Sequence, residues 1–252
     1  MKKQYIIFSL FLFLPILVSA QSRQMTLQEV LAMATERSLT LQHSRMEVDK
    51  TRILQGTAFH LDATSVSLSQ DPTSGGSPDN AITVSQSFAL PSVYSARRSL
   101  LKSETTASQS RLAVSENELR REVSLAFYDL LYAQDVLHIY ARQDSIYKNF
   151  NRVAEAKLRT GETGRLEQMN AIRLKQKNDI KSDIAQRDFL TAQLQLMKWL
   201  NTDTLVIPLA TATNELIFAD NSIADVPLLA LAKSQEEVAN RQLKLEKRNG
   251  LP

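Results

Sequence analysis

The period of the apolar positions changes several times along this chain of 252 residues. Over residues 26–56, Leu27, Val30, Leu31 and Ala34 recur at the three- and four-residue spacing of one helix face. Thr26 followed by Glu29 gives this helix a capping-box start, and Gly56 gives it a stop. Over residues 61–88 the period falls to two. Val66 and Leu68 alternate with Ser65, Ser67 and Ser69, and Ile82 and Val84 alternate with Thr83 and Ser85. The turn formers of DPTSGGSPDN lie between the two runs. This predicts a β-hairpin with one apolar face and one serine and threonine face. Between Asp62 and Asp71, and again from Asn80 to Phe88, no residue is charged. A membrane-barrel hairpin has this texture, and so does an ordinary soluble one.

Residues 92–158 contain neither glycine nor proline, and Ser92 is placed to cap their start. They predict a single helix of about 100 Å, far longer than the globular average. Leu119, Val123, Ala126, Leu130, Ala133, Leu137, Tyr140, Tyr147, Ala154 and Leu158 form a heptad seam. Asp144 and Asn151 interrupt it, either facing a lumen or fixing register; register is the preferred reading. A second stripe of Phe127, Leu131, Ile139, Ile146, Phe150 and Val153 runs beside the first. One seam serves one neighbour, so two stripes predict neighbours on both sides, as in a wall of helices.

The break at residues 159–164 carries Gly161 and Gly164, which let a helix end and the chain reverse. Residues 165–200 return as helix, with a polar middle, KQKNDIKSD, read as a solvated face. The first helix, at about 46 Å, and the returning helix, at about 54 Å, together match the length of the long one. The repeating unit is therefore short helix, hairpin, long helix, turn, short helix. Residues 201–225 read as an irregular linker. Residues 226–252 read as the first helix of a second, incomplete unit, with Glu237-Val238 echoing Glu47-Val48. The predicted fold class is mainly α with a β-hairpin, built on a long antiparallel helical hairpin.

Composition narrows the chemistry. The absence of cysteine excludes disulfides, thiolate metal sites, cysteine nucleophiles and a lipidated N-terminal cysteine. His43, His60 and His138 are scattered, and neither a phosphate-cradling glycine loop nor a catalytic constellation is present. No cofactor, metal or enzymatic activity is expected. Residues 1–20 read as a cleaved signal peptide: Lys2 and Lys3, an apolar run from Ile6 to Val18, then Val18-Ser19-Ala20. Its loss takes two lysines from a formal charge of +3, leaving +1. No clustered basic face with interleaved aromatics points to nucleic acid.

Three stretches resemble the TolC-like outer-membrane efflux protein family. They are LQEVLAMA from Leu27, QSFALPSVY from Gln86 to Tyr94, and VAEAKLRTGETGRLEQMNA from Val153 to Ala171. MKWLN, from Met197 to Asn201, resembles the family's close to the returning helix. The resemblance implies a trimeric duct, with strands in an outer-membrane β-barrel and helices in the periplasm. It implies passive passage of solutes in a tripartite efflux or type I secretion system. It also implies a periplasmic adaptor (membrane fusion protein), an inner-membrane pump and outer-membrane lipid as partners. On the same basis Val153, Lys157, Leu158, Arg159, Gly161, Gly164, Arg165 and Leu166 are the candidate adaptor-docking tip.

The family pattern has two repeats, whereas this sequence holds one repeat and the first helix of another. The expectation is a chain truncated within its second repeat; half of a split protein and a higher oligomer are the alternatives. A periplasmic adaptor would flank its hairpin with small β-domains, and a structural coiled-coil envelope protein would lack barrel strands, so both rank below the channel. The length of the long helix is directly testable. Spin labels at Ser92 and Leu158 should show no dipolar coupling, being about 100 Å apart; a strong coupling would remove the single-helix reading.

Overall fold

The computed structural model of the chain describes residues 23–71, 79–210 and 226–250. The segment read as a signal peptide, the hairpin loop at 72–78 and residues 211–225 of the linker lie outside the described residues. The chain is mainly α with one β-hairpin. In order, the elements are β1 (Arg23–Met25), α1 (Leu27–Arg37), α2 (Leu39–Leu54), a 3-10 segment (Gln55–Phe59), β2 (Ser65–Asp71) and β3 (Asp79–Ser85). They are followed by α3 (Pro91–Arg159), α4 (Arg165–Leu200), β4 (Val206–Pro208) and α5 (Pro227–Asn249). Two compact units emerge: residues 23–37 with 122–210, and residues 38–71 with 79–121 and 226–250. α3 contributes residues to both.

In the first unit, the C-terminal half of α3 and the whole of α4 form a helical hairpin. Val123, Ala126, Leu130, Ala133 and Ala154 of the α3 seam are buried. Leu137, Tyr140, Asp144, Tyr147, Asn151 and Leu158 are half-buried. α4 presents Ala171, Asn178 and Ala185 at seven-residue intervals, all buried, with Lys175, Ser182 and Phe189 half-buried beside them. Alanine at these positions lets two backbones approach closely. Asn178 Nδ2 donates to the Tyr140 carbonyl at 3.4 Å, and the Lys181 ammonium lies 5.9 Å from the Tyr140 ring centre. The polar middle of α4 is therefore only partly a solvated face, because Asn178 belongs to the seam. Of the second stripe, Phe127 is buried and Leu131 half-buried, while Ile139, Ile146, Phe150 and Val153 are exposed.

The other end of α4 carries a small core. α1 packs on α4, burying Val30 and Ala34 together with Leu196 and Leu200. Thr26 opens α1 as a capping box: its N–H donates to Glu29 Oε2 at 2.8 Å, and Glu29 N–H returns to Thr26 Oγ1 at 3.4 Å. The bond from the Thr26 backbone, then that from its hydroxyl, lowers the Glu29 pKa. β1 pairs in parallel with β4, Arg23 opposite Val206 and Met25 opposite Pro208. Gln193 Nε2, buried, donates to the Val206 carbonyl at 2.9 Å and ties this pair to α4. The parallel pair is absent from the sequence reading, since three residues are too few to show a period.

Residues 26–56, expected as one helix, form two, and the second unit begins at the break. Ser38 makes the break: its hydroxyl accepts from the Leu41 N–H at 3.3 Å and starts α2 afresh. Serine competes with the helix for backbone groups, which is why the break falls there. α2 runs to Leu54 and tightens into the 3-10 segment that contains Gly56. Gln55 Nε2 donates to Thr105 Oγ1 at 2.6 Å, and Arg45 lies 3.9 Å from Glu116, so α2 lies against the N-terminal half of α3. α3 starts at Pro91 rather than at a Ser92 cap, because proline's fixed φ suits the first helical position. α5 covers another flank of α3: Leu245 joins Val93, Ala96 and Leu100 in one buried cluster. Arg248 Nη1 donates to the Ser92 carbonyl at 2.7 Å.

The seam and the second stripe should respond differently to truncation. Leu130→Ala, at a fully buried position, should cost about 2–5 kcal/mol by urea unfolding of the purified chain. Ile146→Ala, at an exposed one, should stay within about 0.5 kcal/mol.

Candidate functional site

Two surfaces stand out, one in each unit. The first is the turn between α3 and α4. Helix α3 ends in a Schellman motif: Glu162 N–H donates to the Lys157 carbonyl at 2.9 Å, and Gly161 N–H to the Leu158 carbonyl at 3.2 Å. Gly161 carries the left-handed backbone this requires, at φ +76°. Gly164 is different. It caps the start of α4 at φ −85° and ψ 161°, extended backbone that any residue adopts. The reading that both glycines serve the reversal is therefore corrected: one makes it and the other caps the returning helix. The Thr163 hydroxyl donates to the Glu167 carboxylate across the first turn of α4.

The sequence-predicted tip residues are brought together by this turn. Lys157, Arg159, Gly161, Gly164, Arg165 and Leu166 are exposed, Leu166 at 83%. Val153 is exposed one to two turns before the reversal, and Leu158 is half-buried on the seam. The tip thus presents Lys157, Arg159 and Arg165 around the exposed side chain of Leu166. Farther along the seam, Lys148 Nζ pairs with Asp144 Oδ2 at 2.5 Å, and Lys175 Nζ with Asp179 Oδ2 at 2.6 Å. The hydrogen bond to Asp144, then its charge, raises the Lys148 pKa. Asn151 Oδ1 and Asn178 Oδ1 are buried without a partner among the described residues. Sequence reasoning missed Asn178; its seven-residue spacing from Ala171 and Ala185 was the available signal.

The second surface is the β-hairpin. Antiparallel pairing sets Val66 opposite Val84 and Leu68 opposite Ile82, and Ser67 opposite Thr83. The apolar residues therefore share one face, and they are 64–75% exposed. The root of the hairpin is fixed to the start of α3. Tyr94 stacks on Phe59 with ring centres 6.0 Å apart, and its hydroxyl accepts from the Ala89 N–H at 3.2 Å. Gln86 reaches back across the root, donating to the Asp62 carbonyl at 2.7 Å and accepting from the Thr64 hydroxyl.

Among the described residues, no three histidine, aspartate or glutamate side chains are placed to hold a metal ion, and no helix is long and apolar enough to cross a membrane. No protein-family model and no curated protein sequence matches the chain. Solved structures do. The outer-membrane channel CmeC of Campylobacter jejuni matches over 89% of this chain and 53% of its own, at TM-score 0.72 and 12% identity. VceC, an outer-membrane protein of Vibrio cholerae, matches over 88% and 58%, at TM-score 0.65 and 13% identity. The MtrE outer-membrane channel of Neisseria gonorrhoeae matches over 88% and 54%, at TM-score 0.64 and 17% identity. The fold is that of the TolC-like outer-membrane channels. The chain spans little more than half the length of the TolC-like channels it matches.

The two glycines of the turn should differ under substitution through their backbone angles alone, as neither has a heavy atom within 4 Å of an added Cβ. Gly161→Ala should cost about 1–2 kcal/mol through its left-handed backbone. Gly164→Ala should cost only a few tenths to about 1 kcal/mol, as the loss of a modest helix cap. Thermal unfolding of the two variants side by side reads the difference.

Proposed function

We propose that this chain is a non-enzymatic channel component of an outer-membrane efflux or type I secretion system. Its hairpin supplies strands to a membrane β-barrel, and its helices supply part of the wall of a periplasmic duct. One observation carries the reading: an antiparallel hairpin with paired, exposed Val66, Val84, Leu68 and Ile82 on one face and serine and threonine on the other. In water such a face is a liability. Against lipid, with the hydroxyl face toward a hydrated lumen, the Val66–Val84 and Leu68–Ile82 pairs and the serine and threonine opposite them each meet a compatible medium, while the Gln70–Asn80 pair ends the apolar face at the loop. Lipid would also demand partners for the outer edges of β2 and β3, so the reading requires further strands from other subunits or chain segments.

The exposed stripe of Ile139, Ile146, Phe150 and Val153 supports lateral association of helices, in keeping with a trimeric assembly. The tip residues Val153, Lys157, Leu158, Arg159, Gly161, Gly164, Arg165 and Leu166 form the docking surface for a periplasmic adaptor, through which an inner-membrane pump is engaged. Solutes then pass from periplasm to exterior without chemistry on this chain. The turn supports this role because it displays Leu166 among the side chains of Lys157, Arg159 and Arg165, while backbone hydrogen bonds hold the reversal.

Two measurements test the proposal separately. Replacing Val66, Leu68, Ile82 and Val84 together by serine should move the chain from the outer-membrane to the soluble fraction, with helical content retained by circular dichroism. Leu166→Ser with Arg165→Glu should weaken crosslinking to the adaptor by about tenfold, as expected for a hot-spot pair worth 1–2 kcal/mol, and leave fractionation unchanged. Undiminished crosslinking would withdraw the docking assignment.

A further inference from the structure

Below the root of the hairpin, α3 and α5 enclose a cleft lined by Ser95, Ala96, Ser99, Arg241, Lys244 and Arg248. From the cleft and its chemistry we infer that it binds the phosphate of an anionic phospholipid in the leaflet that meets the helical part of the chain. The inference rests on the membrane reading above and adds a ligand site to it.

Three observations converge. First, charge: residues 237–248 of α5 carry four cations, Arg241, Lys244, Lys247 and Arg248, against two carboxylates, Glu237 and Glu246. Two of them are held in place. Arg241 Nε pairs with Glu237 Oε1 at 2.5 Å, and Arg248 Nη1 donates to the Ser92 carbonyl at 2.7 Å. Lys244 is exposed at the lip of the cleft. Second, donors: the Ser95 and Ser99 hydroxyls line the facing wall, one helical turn apart. Guanidinium, ammonium and hydroxyl groups converging on one cleft suit a tetrahedral oxyanion.

Third, depth: the exposed apolar hairpin face comes first. Below it lies an aromatic zone of Phe59, Phe88 and Tyr94, with Phe88 itself 71% exposed. Ser95 and Ser99 follow about 6 and 12 Å into α3 from Pro91. Hydrocarbon, interface and headgroup succeed one another in that order in a bilayer, and aromatic residues concentrate at the interface. The Arg97 guanidinium over the Tyr94 ring, at 6.0 Å, joins the aromatic zone to the cationic one.

The experiment uses the purified full chain and two kinds of vesicle: phosphatidylcholine alone, and phosphatidylcholine with an equal part of phosphatidylglycerol. The wild-type chain should float with both and prefer the anionic ones. In Arg241→Gln/Lys244→Gln/Arg248→Gln that preference should fall about fivefold per charge removed, with binding to phosphatidylcholine unchanged. Should the triple variant misfold, Lys244→Gln alone carries the test, expected to lose about fivefold, with Lys244→Arg restoring the preference. An anionic preference kept in full by these variants would overturn the site. So would binding of soluble glycerol phosphate as tight as binding of the anionic vesicles. The four-serine hairpin variant separates the two ideas: it should lose both vesicle types. A wild-type chain that binds neither type would refute the membrane reading, and the lipid site with it.

Discussion

Helix–helix contact along a narrow seam is the interaction on which the first unit depends. A helix as long as α3 has far more surface than it can bury on itself, so its stability comes from neighbours. On the α4 side the contact is made largely by small residues, with Ala171 and Ala185 fully or almost fully buried. Small side chains bring the backbones close and leave little apolar surface in reserve. The polar members of the seam, Asn151 and Asn178, each leave a buried oxygen without a partner among the described residues. A buried acceptor left unpaired is a cost in stability. The core of Val30, Ala34, Leu196 and Leu200, away from the turn, is drier and is anchored by β1 and β4.

The second unit answers a different physical demand. Here α2 and α5 clothe the N-terminal half of α3, and the hairpin stands with its apolar face uncovered. The root contacts of Tyr94 and Gln86 hold the hairpin to the helix. The aromatic zone and the cationic cleft below it give this end of the chain a graded polarity. That grading is the property a protein needs where hydrocarbon gives way to headgroups and water.

Much of this was legible in the sequence, and the exceptions have causes. The α3 seam could be read because its period is sustained over many turns, and the hairpin because period two is unambiguous when charge is absent. The break at Ser38 was hidden, since apolar spacing continues across it and only a hydroxyl marks the restart. The pair β1–β4 was hidden because its three-residue strands sit at distant places in the chain. Asn178 was taken for solvent-facing because it lies in a run of lysines and aspartates; its neighbours at seven-residue spacing decide otherwise. The unequal roles of Gly161 and Gly164 depend on backbone angles, which two identical letters cannot distinguish.

The parallel pair of β1 and β4 has a kinetic consequence. Arg23 is paired with Val206, about 180 residues further along the chain. A polypeptide emerging N-terminus first must therefore carry β1 unmatched until the long helix and its return have followed. The helical hairpin, built from near neighbours, can zip up meanwhile. The strand pair is the clasp that closes afterwards, and until it closes β1 presents an open edge.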